Sequence, residues 1–290
     1  MFKTILVPVR GDGGDRASLG TALAVATLFG GHIDVAHIQS VVPSLVPATG
    51  PNSAQLISGL QYVSALRECD KDRRLHARRQ FRQFCAAAKI QGVGKHPPAK
   101  GSVSAAWTDH EGNEVDQIIR MAHRHDLIVL RAVPEGNGGF SPDEAGEIIL
   151  SRGGPVMLAP PHPPSEIAHT IAIAWKNTPE AASALGAAMP FLYRADKIFV
   201  VSVADADHPA DPSVDDIVVR LRWHGLNAVA DRITAKQSLP TACLMKRIEA
   251  LGADMVIMGA YGRSRIRELI FGSFTKQVLS GASLPILLSH

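Results

Sequence analysis

One plan of strand, helix and strand is written into this chain twice, and that repetition limits the possible folds more than any other feature. Ile5–Arg10 (ILVPVR) and Ile171–Lys176 (IAIAWK) are apolar runs of strand length that end on a basic residue and lead into a polar turn. A helical pattern follows each. In the first, Asp15 stands where a cap belongs, Leu19, Leu23 and Ala26 fall at helical spacing, and Gly30-Gly31 stops the helix. In the second, Thr178-Pro179 supplies a cap and a first-turn proline, and Leu185, Ala188 and Leu192 form the apolar stripe. His32–Ile38 and Lys197–Val203 read as second strands, and 102–107 and 226–233 as third strands. Helices over 114–124 and 239–251 lead into His125–Leu130 and Ala253–Met258, and each half closes on a proline-led strand, Pro155–Ala159 or Pro285–Ser289. Strands alternating with helices at this interval build βαβ units, which set neighbouring strands parallel. The chain is therefore expected to hold two tandem α/β domains, 1–160 and 165–290, joined through Pro160–Pro164 (PPHPP). A length of 290 residues suffices for two such cores.

The halves differ between their second and third strands, where the first carries a loop over 40–59 and a long helical stretch over about 60–90. Arg67, Lys71, Arg73, Arg74, Arg78, Arg79 and Arg82 crowd that stretch, interleaved with Glu68, Asp70 and Asp72. The pattern predicts a solvated face with i,i+4 ion pairs in preference to a contact with an acidic partner or a membrane surface. The net charge of +3 and scattered arginines argue against a nucleic-acid surface, despite a pI near 8.8. Cys69, Cys85 and Cys243 are far apart and unpaired in pattern, as in a reducing compartment. The chain enters a strand within Met1–Val7, and no apolar run approaches the roughly 18 residues of a membrane span. These features lead us to expect a cytoplasmic protein without a signal peptide.

The most specific motif lies near the end. The strand-like run Asp254–Gly259 is followed by Ala260-Tyr261-Gly262, then nine residues from Arg263 to Phe271, then Gly272-Ser273 ahead of a helical pattern over Phe274–Leu279. Glycines let a ligand approach the main chain, and free amides at a helix start attract phosphate oxygens. This spacing of Gly, two residues, Gly, nine residues, Gly-Ser resembles the signature of the ATP-binding branch of the universal stress protein family. Together with the tandem plan, the resemblance extends over essentially the whole chain. It implies two Rossmann-like domains, each a five-stranded parallel open sheet with helices on both faces, packed as an intramolecular pseudo-dimer. A homodimer of such chains is a further possibility.

The resemblance also implies a nucleotide at the carboxyl ends of the first and fourth strands of the second half, in keeping with the switch-point rule for open sheets. Phosphate contacts would come from Gly259, Gly262, Gly272 and Ser273 with the backbone of Phe274, an adenine contact from the backbone of Val203, and neighbouring positions from Met258 and Ala174. Tyr261 stands where the family often has histidine. Lys176 stands where the family commonly has an acid. It cannot ligate Mg²⁺, and is either a point charge for a phosphate or ribose oxygen or a strand-end lysine in solvent. Arg263, Arg265 and Arg267 lie inside the spacer, where they either clamp a polyphosphate or keep the loop soluble.

The first half lacks this apparatus. Aligning the final strands sets Arg131 against Gly259 and Pro134 against Gly262, with Pro142-Asp143 in place of Gly272-Ser273. Gly11–Gly14 (GDGG) reads as a tight turn before a helix, and Gly136, Gly138 and Gly139 as a flexible loop. The His123–His125 pair is spaced two apart, which on a helix directs the rings away from each other and away from a shared metal. Zincin, nucleophile-elbow and Walker A patterns are absent, and Glu249, Asp254 and Glu268 are not spaced as an acid–base pair. These readings point to a nucleotide-binding stress-response regulator or sensor with ATP as its ligand. Two alternatives are a slow ATPase or phosphoryl-transfer enzyme, and a scaffold that binds no nucleotide.

Overall fold

A computed structural model describes residues 1–12, 14–39, 53–92, 101–131, 139–204, 211–235, 240–260 and 283–290. The first half runs β1 (Thr4–Val9), α1 (Asp15–Phe29), β2 (His32–Gln39), α2 (Ser53–Ala87), β3 (Gln91–Gly92), β4 (Ser104–Glu111), α3 (Glu114–Ala122), β5 (Leu127–Arg131), α4 (Pro142–Arg152) and β6 (Val156–Ala159). The second runs β7 (Thr170–Ala174), α5 (Pro179–Leu192), β8 (Lys197–Ala204), α6 (Val214–Trp223), β9 (Ala228–Thr234), α7 (Pro240–Ala250), β10 (Met255–Gly259) and β11 (Ile286–Ser289).

Both halves use the order third, second, first, fourth, fifth: β4-β2-β1-β5-β6 in one and β9-β8-β7-β10-β11 in the other. The short β3 adds a further strand outside β4. Pairing within each half is parallel, as crossovers through helices require. The two sheets do not stay apart. β6 and β11 pair antiparallel, Leu158 against Ile286 and Val156 against Leu288, giving one eleven-stranded sheet.

Strands β5, β6, β10 and β11 are apolar along nearly their whole length because helices cover both faces. One core, beneath α1, α2, α5 and α6, joins Ile5, Val7 and Leu127 to Ile171, Ile173 and Met255. At its centre Phe2 and Phe29 meet Phe191 of the other half, with ring centroids 4.8 and 5.0 Å away. The other core lies beneath α3, α4 and α7 and likewise spans both halves, from Ile118 and Ile148 to Leu244 and Ile248. Each buried side chain of this size contributes about 2 to 3 kcal/mol.

Several boundaries differ from expectation. Residues 53–59, expected in the loop, are the first turns of α2, and its pairs Lys71–Glu68 and Arg73–Asp70 are spaced three apart, not four. Arg74 instead leaves the helix to form a two-pronged bond with Asp109 of β4 at 2.8 Å. Strand β4 runs on to Glu111, through polar residues that its lightly covered position near the sheet edge tolerates. Asp15 does not cap α1: Gly14 holds that position, without a side-chain cap, and the Asp15 carboxylate turns back to accept from the amides of Arg10 and Gly11. Thr178 does cap α5, accepting from the Ala181 amide, and Gly30 ends α1 in the left-handed conformation that glycine adopts without strain.

Candidate functional site

Strand order reverses at β7, which lies between β8 and β10, so the crevice at the carboxyl ends of these strands is the switch point of the second half. The structure brings five of the nine sequence-derived residues to it. Ala174 ends β7 and pairs with Met258 of β10, and Gly259 ends β10. Val203 lies near the end of β8, and Lys176 follows β7, exposed. Gly262, Gly272, Ser273 and Phe274, with Tyr261 and the three spacer arginines, lie outside the described residues.

The turn from β7 to α5 is held by its neighbours. The Trp175 amide donates to the Val201 carbonyl at 2.8 Å, and its indole N–H donates to Ser213 Oγ at 2.8 Å. Asp211 Oδ2 accepts from the Asn177 amide at 2.7 Å while Oδ1 accepts from the amide and hydroxyl of Ser213. Burial works against the Asp211 charge, but these donors and nearby Lys176 hold its carboxyl below the usual range. Sequence reasoning missed Asp211, which carries no motif and acts across 34 residues of chain.

Gly259 sits hard against the start of α5. A Cβ there would stand 2.5 Å from the Ala181 nitrogen and 2.6 Å from the Glu180 carbonyl carbon, both backbone atoms. The glycine therefore lets the helix close on the strand. Gly259→Ala is expected to destabilise the fold by about 2 kcal/mol through overpacking, read as a lower urea midpoint with an unchanged slope.

The equivalent crevice of the first half, at the ends of β1 and β5, is filled. Arg10, the counterpart of Lys176, donates through Nε to Glu114 Oε1 at 2.9 Å, and its Nη2 lies 2.7 Å from Glu114 Oε2 and 2.8 Å from Glu144 Oε1. Its Nη1 donates to the Gly139 carbonyl, and its guanidinium lies 4.0 Å from the centre of the Phe140 ring. Burial opposes this charge, yet Glu114 and Glu144 prevail and hold the guanidinium above its ordinary pKa. Glu144 also closes the capping box of α4, with its other oxygen on the Ser141 amide. Arg131, the counterpart of Gly259, pairs with Asp12 at 2.8 Å, and a Cβ on Gly14 would fall inside its guanidinium. Above them α2 crosses Gly11 so closely that a Cβ there would collide with the Arg73 carbonyl.

At the opposite end of the first sheet, His125 touches acceptors through both ring nitrogens, the Met121 carbonyl at 2.7 Å and Asp34 at 3.2 Å. It is part of the frame, and among the described residues no three His, Cys, Asp or Glu side chains gather around a common point for a metal.

Comparison with known proteins bears on the second half first: residues 168–290 match the model of the Universal stress protein family. This half carries a universal stress protein domain. A universal stress protein of Synechocystis is 56% identical over 34 residues, and one of Methanocaldococcus jannaschii is 33% identical over 49 residues. Those stretches make up 12% and 17% of this chain, and span only 12% and 30% of the relatives' own lengths. At the level of fold, the universal stress protein architecture extends to the whole chain. A universal stress protein structure from Archaeoglobus fulgidus superposes with a TM-score of 0.67 at 14% identity, covering 99% of this chain and 95% of the other. A Pseudomonas aeruginosa structure reaches 0.52 at 15% identity, with 99% and 93% covered. No helix among the described residues is long and apolar enough to cross a membrane.

Proposed function

We propose that this chain is a tandem universal stress protein that binds ATP at the carboxyl edge of its second sheet and acts in the cytoplasm as a stress-response regulator or sensor. The first half, residues 1–160, serves as a structural pseudo-copy, and 165–290 as the nucleotide-binding domain. The observation that carries this reading is the contrast between two equivalent crevices. One is closed by Arg10 and Arg131, each paired with acids, whereas the other has an exposed Lys176 and Gly259 at the same places. In the second half the backbone of Val203 would meet adenine beside Met258. Gly259, Gly262, Gly272, Ser273 and the Phe274 amide would take the phosphates, and Lys176 would supply a point charge to a phosphate or ribose oxygen.

Nucleotide bound here would act by stabilising the state that holds it, by an amount that grows with ligand concentration. Isothermal titration with ATP on the full chain and on Gly272→Val tests the cradle. The valine is expected to weaken binding by about tenfold or more, a loss of roughly 1.4 kcal/mol or greater, and an unchanged affinity would remove the cradle from the site.

A further inference from the structure

Helix α2 runs for 35 residues, whereas α6, which takes its place between the second and third strands of the other half, has 10. The extra length carries a face that the core of this chain does not use. Asp70, Ala77 and Phe81 turn inward and are buried. On the opposite side Glu68, Asp72, Leu75, Arg79 and Arg82 follow at alternating steps of four and three residues, which keeps them in a single stripe about 21 Å long. All five are exposed, Leu75 by 54%.

The charges of this stripe are sorted by sign about its midpoint. Two acids precede Leu75 and two arginines follow it, and the exposed Ala65 and Ala86 continue the stripe at either end. The helix dipole does not account for the sorting, because it acts within a terminal turn and Glu68 and Asp72 lie well inside α2. Little within the chain neutralises them. Glu68 meets Lys71 at 3.6 Å in the open, and Asp72, Arg79 and Arg82 make no ion pair among the described residues.

A stripe sorted in this way complements its own reversal. A second copy of the helix laid antiparallel, with a two-fold axis beside Leu75, sets Glu68 against the partner's Arg82 and Asp72 against the partner's Arg79. Leu75 meets the partner's Leu75 on the axis, Ala65 meets the partner's Ala86, and the symmetry repeats each ion pair. Lys71 and Arg78 fall on one flank, at the rim, where long cations extend into water. A nucleic acid or an anionic membrane would meet the two acids as well as the arginines, so the mixed stripe favours a second copy over either.

We propose that the outer face of α2 is a self-complementary docking surface through which two copies of this chain associate. It stands apart from the nucleotide site, and its test needs no ATP. Exposed ion pairs are individually weak and are screened by salt, so the dimer should be reversible. Sedimentation equilibrium of the full chain is expected to show a dissociation constant that rises about tenfold or more from about 50 mM to about 500 mM salt. Arg79→Glu with Arg82→Glu makes the stripe wholly acidic, and Glu68→Arg with Asp72→Arg makes it wholly basic. Each double variant should be monomeric alone, and an equimolar mixture of the two should dimerise at low salt. Leu75→Glu, which brings two carboxylates together on the axis, should also weaken the dimer. A wild-type chain that stays monomeric at low salt, whether or not it binds RNA or anionic vesicles, overturns the proposal. So do dimers that persist in the double variants, or a mixture that fails to associate although both variants unfold cooperatively in urea.

Discussion

Arg10→Ala is expected to lower the stability of the chain by about 3 kcal/mol, although nothing in the proposed nucleotide site is touched. Removing one partner from a buried ion pair typically costs about 3 to 5 kcal/mol because the remaining charge is left uncompensated. Here two carboxylates, Glu114 and Glu144, lose their shared cation together with the Gly139 carbonyl, while the 36% exposure of the Glu144 side chain moderates the loss. A double-mutant cycle with Glu144→Gln in urea separates the parts. The loss from Arg10→Ala should shrink in the Glu144→Gln background, and two independent, additive losses would show that the network is not the cause. ATP affinity in the second half should be unchanged.

Asp15 is expected to make the fold less stable as pH rises. Burial lifts its pKa from 3.8 to about 7, and neighbouring Asp12 adds to the lift against the amides of Arg10 and Gly11. The native state therefore holds this proton more tightly than the unfolded chain does. The associated stability is fully present below the unfolded value and is lost as pH rises through about 7. Between pH 5 and pH 8 the expected loss from this group is on the order of 3 kcal/mol, from 1.36 kcal/mol per pKa unit. Asp34, Asp109 and Glu144 shift the opposite way, downward, so the comparison must be with Asp15→Asn under identical conditions. Wild type should lose stability relative to that variant across the window, and parallel pH profiles would refute the shift.

The strands were legible because buried parallel strands are written as uninterrupted apolar runs, and Thr178 and Gly30 announced their caps by chemistry that acts within a few residues. Elements set by distant partners were not. The start of α2 at Ser53 follows a Pro-Asn pair that reads as loop. Asp15 has the residue type of a cap, but its carboxylate is claimed by amides upstream. The β6–β11 pairing leaves no mark in either strand, since an apolar run suits an edge joined to its neighbour as well as a strand inside one sheet. Gly259 was recognisable as a position without room for a side chain, though the crowding atoms described belong to α5.

The antiparallel joint between β6 and β11 has a consequence for how such a chain can change over time. Each half supplies a permanent, equimolar companion for the other's open strand, so association survives dilution and requires no encounter between molecules. A twin supplied on the same polypeptide need only preserve its backbone edge and its share of the interior. It can set arginine at a strand end where the sister domain keeps glycine, a divergence that a symmetric pair of identical chains could not adopt.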